Sequence, residues 1–232
     1  MKKQPLRKRC SMKAKKIFMR VIDILMIAAM LLLMAMQVTK QEIHEWLGIG
    51  MFALVIAHNI LNRNYYAAIF RGKYTPIRVF MLIVNTALLL SFVATPITGM
   101  LMSRYATPFL DGVVGVIWPR KLHLMLSYWS FVLMGMHAGL HLGIISSKLK
   151  NKAVRITAFI LMCGISVYGF YLFIQANIFD YMLMKTHFAF LDYSKAWWLV
   201  ILENLAMLIA WAFIAYLVSL IFKMVKRKGK ES

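Results

Sequence analysis

The chain of 232 residues is 62% hydrophobic and only 16% charged, and its mean hydropathy is +0.70. A soluble domain is about half apolar and about a quarter charged, so this composition excludes an ordinary soluble protein and indicates a multi-pass membrane protein. The formal net charge of +20 comes from short basic clusters between long uncharged stretches, a pattern that favours contact with anionic membrane lipid over nucleic-acid binding.

Apolar windows of about 20 residues, the length that crosses a bilayer as a helix, recur along the whole chain. In chain order the predicted spans are 17–39, 43–62, 79–101, 122–145, 156–177 and 197–222. They predict an all-α fold, a polytopic membrane helical bundle of about six transmembrane helices. A basic tail at 1–16 and another at 223–232 flank this single domain, 17–222.

Basic residues are concentrated on one side of the predicted bundle. They cluster in the tail 1–16, in the loops 63–78 and 146–155, and in the tail 223–232. Because Lys and Arg are enriched in cytoplasmic loops, both termini are predicted to be cytoplasmic. The first apolar run lacks a small-residue cleavage site, so we interpret it as a retained helix rather than a signal peptide.

The second and fourth predicted spans share one histidine pattern. The stretches "HEWLGIGMFALVIAHNILN" and "HLMLSYWSFVLMGMHAGLH" place His44 and His58 at the same interval as His123 and His137. Fourteen residues of α-helix cover about 21 Å and bring both imidazoles of a span to nearly the same face. Since these two spans run in the same direction, we expect His44 to face His123 near the outer surface and His58 to face His137 near the inner one.

Paired imidazoles of this kind are typical of haem ligands. Ionisable groups in membrane spans are costly and usually functional, and a haem iron can be held axially by histidine inside a helical bundle. Zinc fits less well, because its sites are tetrahedral and compact. No C-x-x-C-H motif for covalent attachment occurs in the chain. The pattern therefore predicts two non-covalent, b-type haems.

His141 is an alternative to His137 as the inner ligand, because it lies about five helical turns from His123. When the two stretches are overlaid, however, His137 aligns with His58 and His141 aligns with Asn62. Basic residues near the ends of the spans are candidate contacts for haem propionates. They are Arg104, Arg120 and Lys121 at the outer end and Arg63 at the inner end.

Other polar features of the chain are weaker candidates. Asp23 and Glu203 are acidic residues within spans, where either could accept a proton from a quinol or simply lie at an interface. His187 has no partner at matching spacing and is expected to be solvated or interfacial. The outer connections 102–121 and 178–196 are the predicted docking surface for a redox partner.

The two histidine stretches, with "PITGMLMS" after the third span, resemble a bacterial family of small membrane cytochromes, the flavinylation-associated cytochromes. That family is similar to the four-histidine bundles of respiratory cytochrome b, formate dehydrogenase gamma subunits and ferric reductases. The resemblance covers roughly residues 17–222 and is specific at the histidine motifs. It implies a location in the bacterial cytoplasmic membrane, electrons from the quinol pool, and an extracytoplasmic partner with covalently attached flavin. The short connection "VTKQEI" departs from the family pattern.

Two other classes of function stay open on the residues alone. The histidines of a non-haem membrane carrier or channel could transfer protons or cations, and an anchor subunit would need no chemistry of its own. The sequence also leaves open whether the chain acts on a substrate, as a quinol dehydrogenase or ferric reductase would, or only relays electrons within an oxidoreductase system.

Overall fold

The computed structural model describes residues 6–110, 115, 117–148 and 151–228, and the regular elements in these ranges are all helical. The helices are α1 (Leu6–Met34), α2 (Met36–Leu61), α3 (Asn64–Ile69), α4 (Pro76–Met100), α5 (Ile117–Lys148), α6 (Lys152–Gln175), α7 (Ile178–Met182) and α8 (Trp197–Lys228), with a 3-10 turn at Pro108–Leu110. The predicted all-α fold is confirmed. The described parts of both basic tails continue the helices α1 and α8, because no proline or glycine stops them there.

Helices suited to a membrane are distributed along the chain, as a multi-pass membrane protein requires. By length and composition, the segments that could cross are Ala14–Met34, Met36–Leu61, Pro76–Met100, Lys152–Gln175 and Trp197–Val225. The fourth predicted span, 122–145, lies within α5, which is not among these five. Its histidines, tyrosine and tryptophan lower its mean hydropathy although the helix has 32 residues. A sixth span and the cytoplasmic position of both termini stay predictions.

The chain reverses between α1 and α2 earlier and more tightly than the sequence predicts. The first predicted span runs to residue 39, but α1 ends at Met34 and α2 begins two residues later. A second break follows at Lys40, whose φ of 58° and ψ of 169° are not helical. Thr39 between the two breaks is buried, and its hydroxyl donates to the Ala35 carbonyl oxygen at 3.5 Å. The reversal therefore lies inside the bundle, and α1 and α2 form a hairpin.

The centre of the bundle is built by α5 and α8. The closest helix pairs are α5 with α8, α4 with α5, α6 with α8, and α1 with α2. Phe131 on α5 and Ala215 on α8 have no exposed surface. A β-carbon added at Gly139 of α5 would lie 1.9 Å from the Ala212 carbonyl oxygen, and one added at Gly169 of α6 would lie 2.2 Å from that of Ala206. Glycine is therefore required where α5 and α6 approach the backbone of α8.

Candidate functional site

The outer histidine pair lies between α2 and α5. The ring centroids of His44 and His123 are 6.2 Å apart, and their planes meet at 71°. The His123 Nδ1 lies 2.9 Å from the carbonyl oxygen of Thr95 on α4. Because a carbonyl oxygen can only accept, Nδ1 carries the proton and donates it, which leaves Nε2 of the neutral ring with a free lone pair. The ring also packs on Gly99, where an added β-carbon would be 3.1 Å from its Cε1 atom.

The inner pair has the same arrangement with other partners. The ring centroids of His58 and His137 are 6.4 Å apart, at an interplanar angle of 79°. The His58 Nδ1 lies 2.9 Å from a carboxylate oxygen of Asp23 on α1, and the His137 Nδ1 lies 2.8 Å from the amide oxygen of Asn85 on α4. Asn85 in turn donates from its Nδ2 to the Tyr65 hydroxyl at 2.9 Å. In their neutral forms both imidazoles thus donate from Nδ1, which leaves the lone pair of Nε2 free.

His44 differs from the other three paired histidines. Its Nδ1 is buried and makes no hydrogen bond within the described part of the chain, with only the backbone of Leu33 close to the ring. A buried polar atom without a partner is unusual, because burial removes its bonds to water. The tautomer of His44 is therefore not fixed by a hydrogen bond in the way that those of the other three paired histidines are.

The distance between the rings in each pair suits two imidazoles on one metal ion. A ligating imidazole nitrogen lies about 2 Å from the metal ion and about 1.1 Å from its own ring centroid, so two axial rings have centroids about 6.3 Å apart. The observed distances are 6.2 Å and 6.4 Å. Within the described ranges no group of three or more His, Cys, Asp or Glu side chains could hold a metal ion. Each pair thus offers two facing imidazoles, the number that would suit a haem iron.

The space next to the histidines of α2 is open. Although α2 and α5 carry the facing imidazoles, they are not among the helix pairs that pack closely. A β-carbon added at Gly48, one turn from His44, would meet no atom within 4 Å. The glycines of α5 differ from Gly48, because Gly135 and Gly139 face the backbone of α8. At Gly48, therefore, no other described helix packs against α2.

The remaining histidines and acidic candidates take separate places. The ring centroid of His141 lies 5.0 Å from that of His137, so His141 is next to the inner pair, although His137 is the ring that faces His58. His187 is exposed in the connection after α7. Glu203 forms an ion pair with Lys195 at 2.8 Å. Of the two acidic residues predicted within spans, only Asp23 contacts a paired histidine.

The four basic residues proposed to bind propionates lie at the two ends of the bundle. Arg104 is exposed just after α4, Lys121 is partly buried in the first turns of α5, and Arg63 is exposed where α2 ends. Arg120 is exposed, and its guanidinium lies 5.5 Å from the centre of the Phe188 ring. None of the four forms an ion pair with a carboxylate in the part of the chain that the structure describes. Their role as propionate contacts stays a prediction.

The sequence analysis missed the residues that orient the histidines. Asn85 and Thr95 lie on α4, a helix without histidine, and contact rings on α5. Asn85 could have been noticed, since an amide in the middle of an apolar span usually has a specific partner. The bond from His123 to Thr95 uses a backbone carbonyl, which no side-chain pattern reveals.

Glu45, the residue after His44, was also missed, and it fixes the connection that follows α4. One carboxylate oxygen accepts from the Ser103 hydroxyl at 2.7 Å and from the backbone N–H groups of Tyr105 at 2.8 Å and Ala106 at 3.1 Å. The other accepts from the Gln41 amide at 2.9 Å. Glu45 therefore joins the outer connection to α2 directly beside the outer pair, where it acts as a positioning residue.

Replacing Glu45 by glutamine is expected to loosen this connection. The new amide group can point its own N–H toward the Ser103 hydroxyl and the backbone N–H groups of Tyr105 and Ala106, which are themselves donors. The hydrogen bonds that are lost had a charged acceptor, and such a bond contributes about 1.5–3 kcal/mol. Amide hydrogen exchange at Tyr105 and Ala106 should become at least about tenfold faster, as measured by mass spectrometry. The exposed Glu42 at the same end of α2 offers a matched control, Glu42→Gln, which should exchange at the wild-type rate. Equal exchange in both variants would contradict the anchoring role.

Comparison with known proteins adds no family: no family model, no curated protein and no solved structure matches the chain. The resemblance to the flavinylation-associated cytochromes therefore stays a prediction that depends on the histidine stretches.

Proposed function

We propose that the chain is a di-haem b-type membrane cytochrome that relays electrons across the bacterial cytoplasmic membrane. The observation that supports this proposal best is the pair of ring separations, 6.2 Å and 6.4 Å, on the same two helices. In the proposal His44 and His123 hold the outer haem, and His58 and His137 hold the inner haem. A haem iron with such ligands exchanges one electron between its ferric and ferrous states.

The side chains around the pairs have defined roles in this proposal. Thr95, Asn85 and Asp23 accept from the Nδ1–H groups, fix the tautomer and keep each Nε2 free to bind iron. Because His44 faces His123 and His58 faces His137, α2 and α5 run in the same direction. The two sites are then separated by fourteen residues of helix, about 21 Å, and lie at two depths of the bundle.

The proposed topology includes α5 as a sixth spanning helix. It packs between α4 and α8, both of which are long and apolar enough to cross a membrane. Six spans place both termini and the basic clusters in the cytoplasm, as the distribution of Lys and Arg favours. Anionic lipid headgroups are then the natural contacts of those clusters.

The proposed electron path starts at the quinol pool and ends at an extracytoplasmic flavin-bearing partner. Both partners follow from the family resemblance. The connections 102–121 and 178–196 are the proposed docking surface; residues 111–114 and 116 of this surface lie outside the described residues. The exposed aromatic residues Phe188, Phe190 and Tyr193 belong to it, and aromatic residues also favour the membrane interface. Whether the chain reduces a substrate of its own is not part of the proposal.

A second candidate function is a non-haem carrier or channel that transfers protons or cations. It is favoured by the inner cluster, in which Asp23 contacts His58 and His141 lies beside His137. The outer pair has no such cluster, since His44 and His123 have no carboxylate at ion-pair distance in the described part of the chain. A proton path across the membrane would need acceptors at both ends, so we favour the cytochrome.

The test is a reduced-minus-oxidised visible spectrum of the detergent-purified protein from haem-replete cells, with pyridine haemochrome quantitation. We expect a b-type spectrum and two haems per chain. A colourless protein would refute the proposal and favour the carrier or channel.

A further inference from the structure

The inner and outer histidine pairs differ in what accepts their Nδ1–H groups. His58 donates to the carboxylate of Asp23 at 2.9 Å, and His137 donates to the neutral amide oxygen of Asn85 at 2.8 Å. At the outer end His123 donates to a neutral backbone carbonyl at 2.9 Å, and the His44 Nδ1 has no hydrogen-bond partner in the described part of the chain. The inner pair therefore has one anionic and one neutral acceptor, whereas the oxygens within 3.4 Å of the His123 Nδ1, those of the Thr95 carbonyl and the Thr98 hydroxyl, are all neutral.

The Asp23 carboxylate is the only one at ion-pair distance from a histidine in the described residues. Glu45 lies beside His44 in sequence, but its oxygens accept from Ser103, Gln41 and the backbone of the outer connection, and they bond to no imidazole. The outer pair thus lacks the carboxylate–imidazole bond that the inner pair has.

A carboxylate bonded to the Nδ1–H of a metal-bound imidazole makes that imidazole a stronger electron donor. Stronger donation stabilises ferric iron, which carries one more positive charge, relative to ferrous iron, so the reduction potential falls. A neutral acceptor has the same effect but a smaller one, because hydrogen bonds with a charged partner are about twice as strong. The reduction potential of a haem between His58 and His137 should therefore be lowered more than that of a haem between His44 and His123.

We infer that Asp23 holds the inner haem at a lower reduction potential than the outer haem through its hydrogen bond with His58, so that electrons move downhill from the inner to the outer side. This inference rests on the proposed function. Each transfer oxidises one inner ferrous iron and reduces one outer ferric iron, and no proton or bond is exchanged. Asp23 is a positioning residue, since it acts through His58 and does not contact the iron.

The test is a potentiometric titration of the purified protein, followed through the visible absorption of the reduced haems. The wild type should titrate as two one-electron components. His58→Ala, which keeps the outer pair, and His123→Ala, which keeps the inner pair, assign each component to its site. The inference requires the component retained in His123→Ala to have the lower potential.

The decisive variant is Asp23→Asn, which keeps the size and an acceptor oxygen but removes the charge. Half of the Asp23 side-chain surface is exposed, so no cavity forms. The inner component should shift upward by about a tenfold change in its reduction equilibrium, which is about 59 mV for one electron. The outer component should stay in place. Glu203→Gln is the matched control, because that carboxylate pairs with Lys195 instead of a histidine, and it should shift neither component.

An inner component that does not move in Asp23→Asn, or a wild-type inner potential above the outer one, would overturn the inference while leaving the cytochrome itself intact. A chain that binds no haem would instead refute the proposed function. Once His58→Ala and His123→Ala have assigned each component to its site, the order of the two wild-type potentials is known. A wild-type inner potential above the outer one would therefore overturn the inference even if Asp23→Asn fails to accumulate.

Discussion

In the proposed cytochrome, replacing His123 by alanine is expected to lower the haem content from two per chain to about one and to remove the outer haem. The substitution leaves His44 without the imidazole whose ring centroid now lies 6.2 Å away, and no other histidine is placed to take over. Pyridine haemochrome quantitation per chain measures the result. His187→Ala is the matched control, because that histidine is exposed, and it should retain both haems. Full haem content in His123→Ala would contradict the pairing.

The same measurement on the inner pair distinguishes His137 from His141. His137→Ala is expected to lose the inner haem, since His137 is the ring that faces His58. His141→Ala should keep it, because the His141 ring lies beside that of His137 and is exposed. The reverse result would make His141 the ligand and would move the inner site one helical turn toward the C-terminal end of α5.

Gly139→Ala is expected to destabilise the fold more than any surface substitution. The added β-carbon would lie 1.9 Å from the carbonyl oxygen of Ala212 and 2.7 Å from its α-carbon. Overfilling a core usually costs about 1–3 kcal/mol, and here the obstacle is backbone, so α5 and α8 must move apart. We expect a clear fall in the unfolding temperature in detergent, or loss of folded protein, measured by circular dichroism and size-exclusion chromatography.

Gly164→Ala on α6 is the control for this effect. A β-carbon at Gly164 would meet no atom within 4 Å, and alanine stabilises a helix by about 0.5–1 kcal/mol relative to glycine. Its unfolding temperature should therefore equal or slightly exceed that of the wild type. If Gly139→Ala unfolded at the same temperature as Gly164→Ala, the close approach of α5 and α8 would be wrong.

The helical class and the placement of both histidines of a span on one side of its helix could be predicted because both depend on intervals within one helix. Hydropathy identifies long apolar helices, and a spacing of fourteen residues places His44 and His58 on one side of α2. The apolar window 122–145 predicts a span within α5, although α5 is not among the helices that are long and apolar enough to cross a membrane in the described part of the chain.

The environment of the histidines could not be predicted because it comes from other helices. Asp23 and His58 are 35 residues apart, and Asn85 and His137 are 52 residues apart. Helical periodicity tells which face a residue shares with its own neighbours, but it does not tell which residue of another helix lies opposite. The tight reversal at 35–40 was also missed. The buried Thr39 at this reversal donates its hydroxyl hydrogen bond locally, to the Ala35 carbonyl oxygen, so no distant partner marks the break.

The division of each histidine pair between an N-terminal hairpin and the later helices affects how the protein is made. His44 and His58 belong to the α1–α2 hairpin, whereas His123 and His137 belong to α5, which begins at Ile117. During translation neither pair exists until α5 has left the ribosome and packed into the bundle. Any molecule that needs both imidazoles of a pair can therefore be retained only late in biogenesis, and a chain that terminates early keeps none.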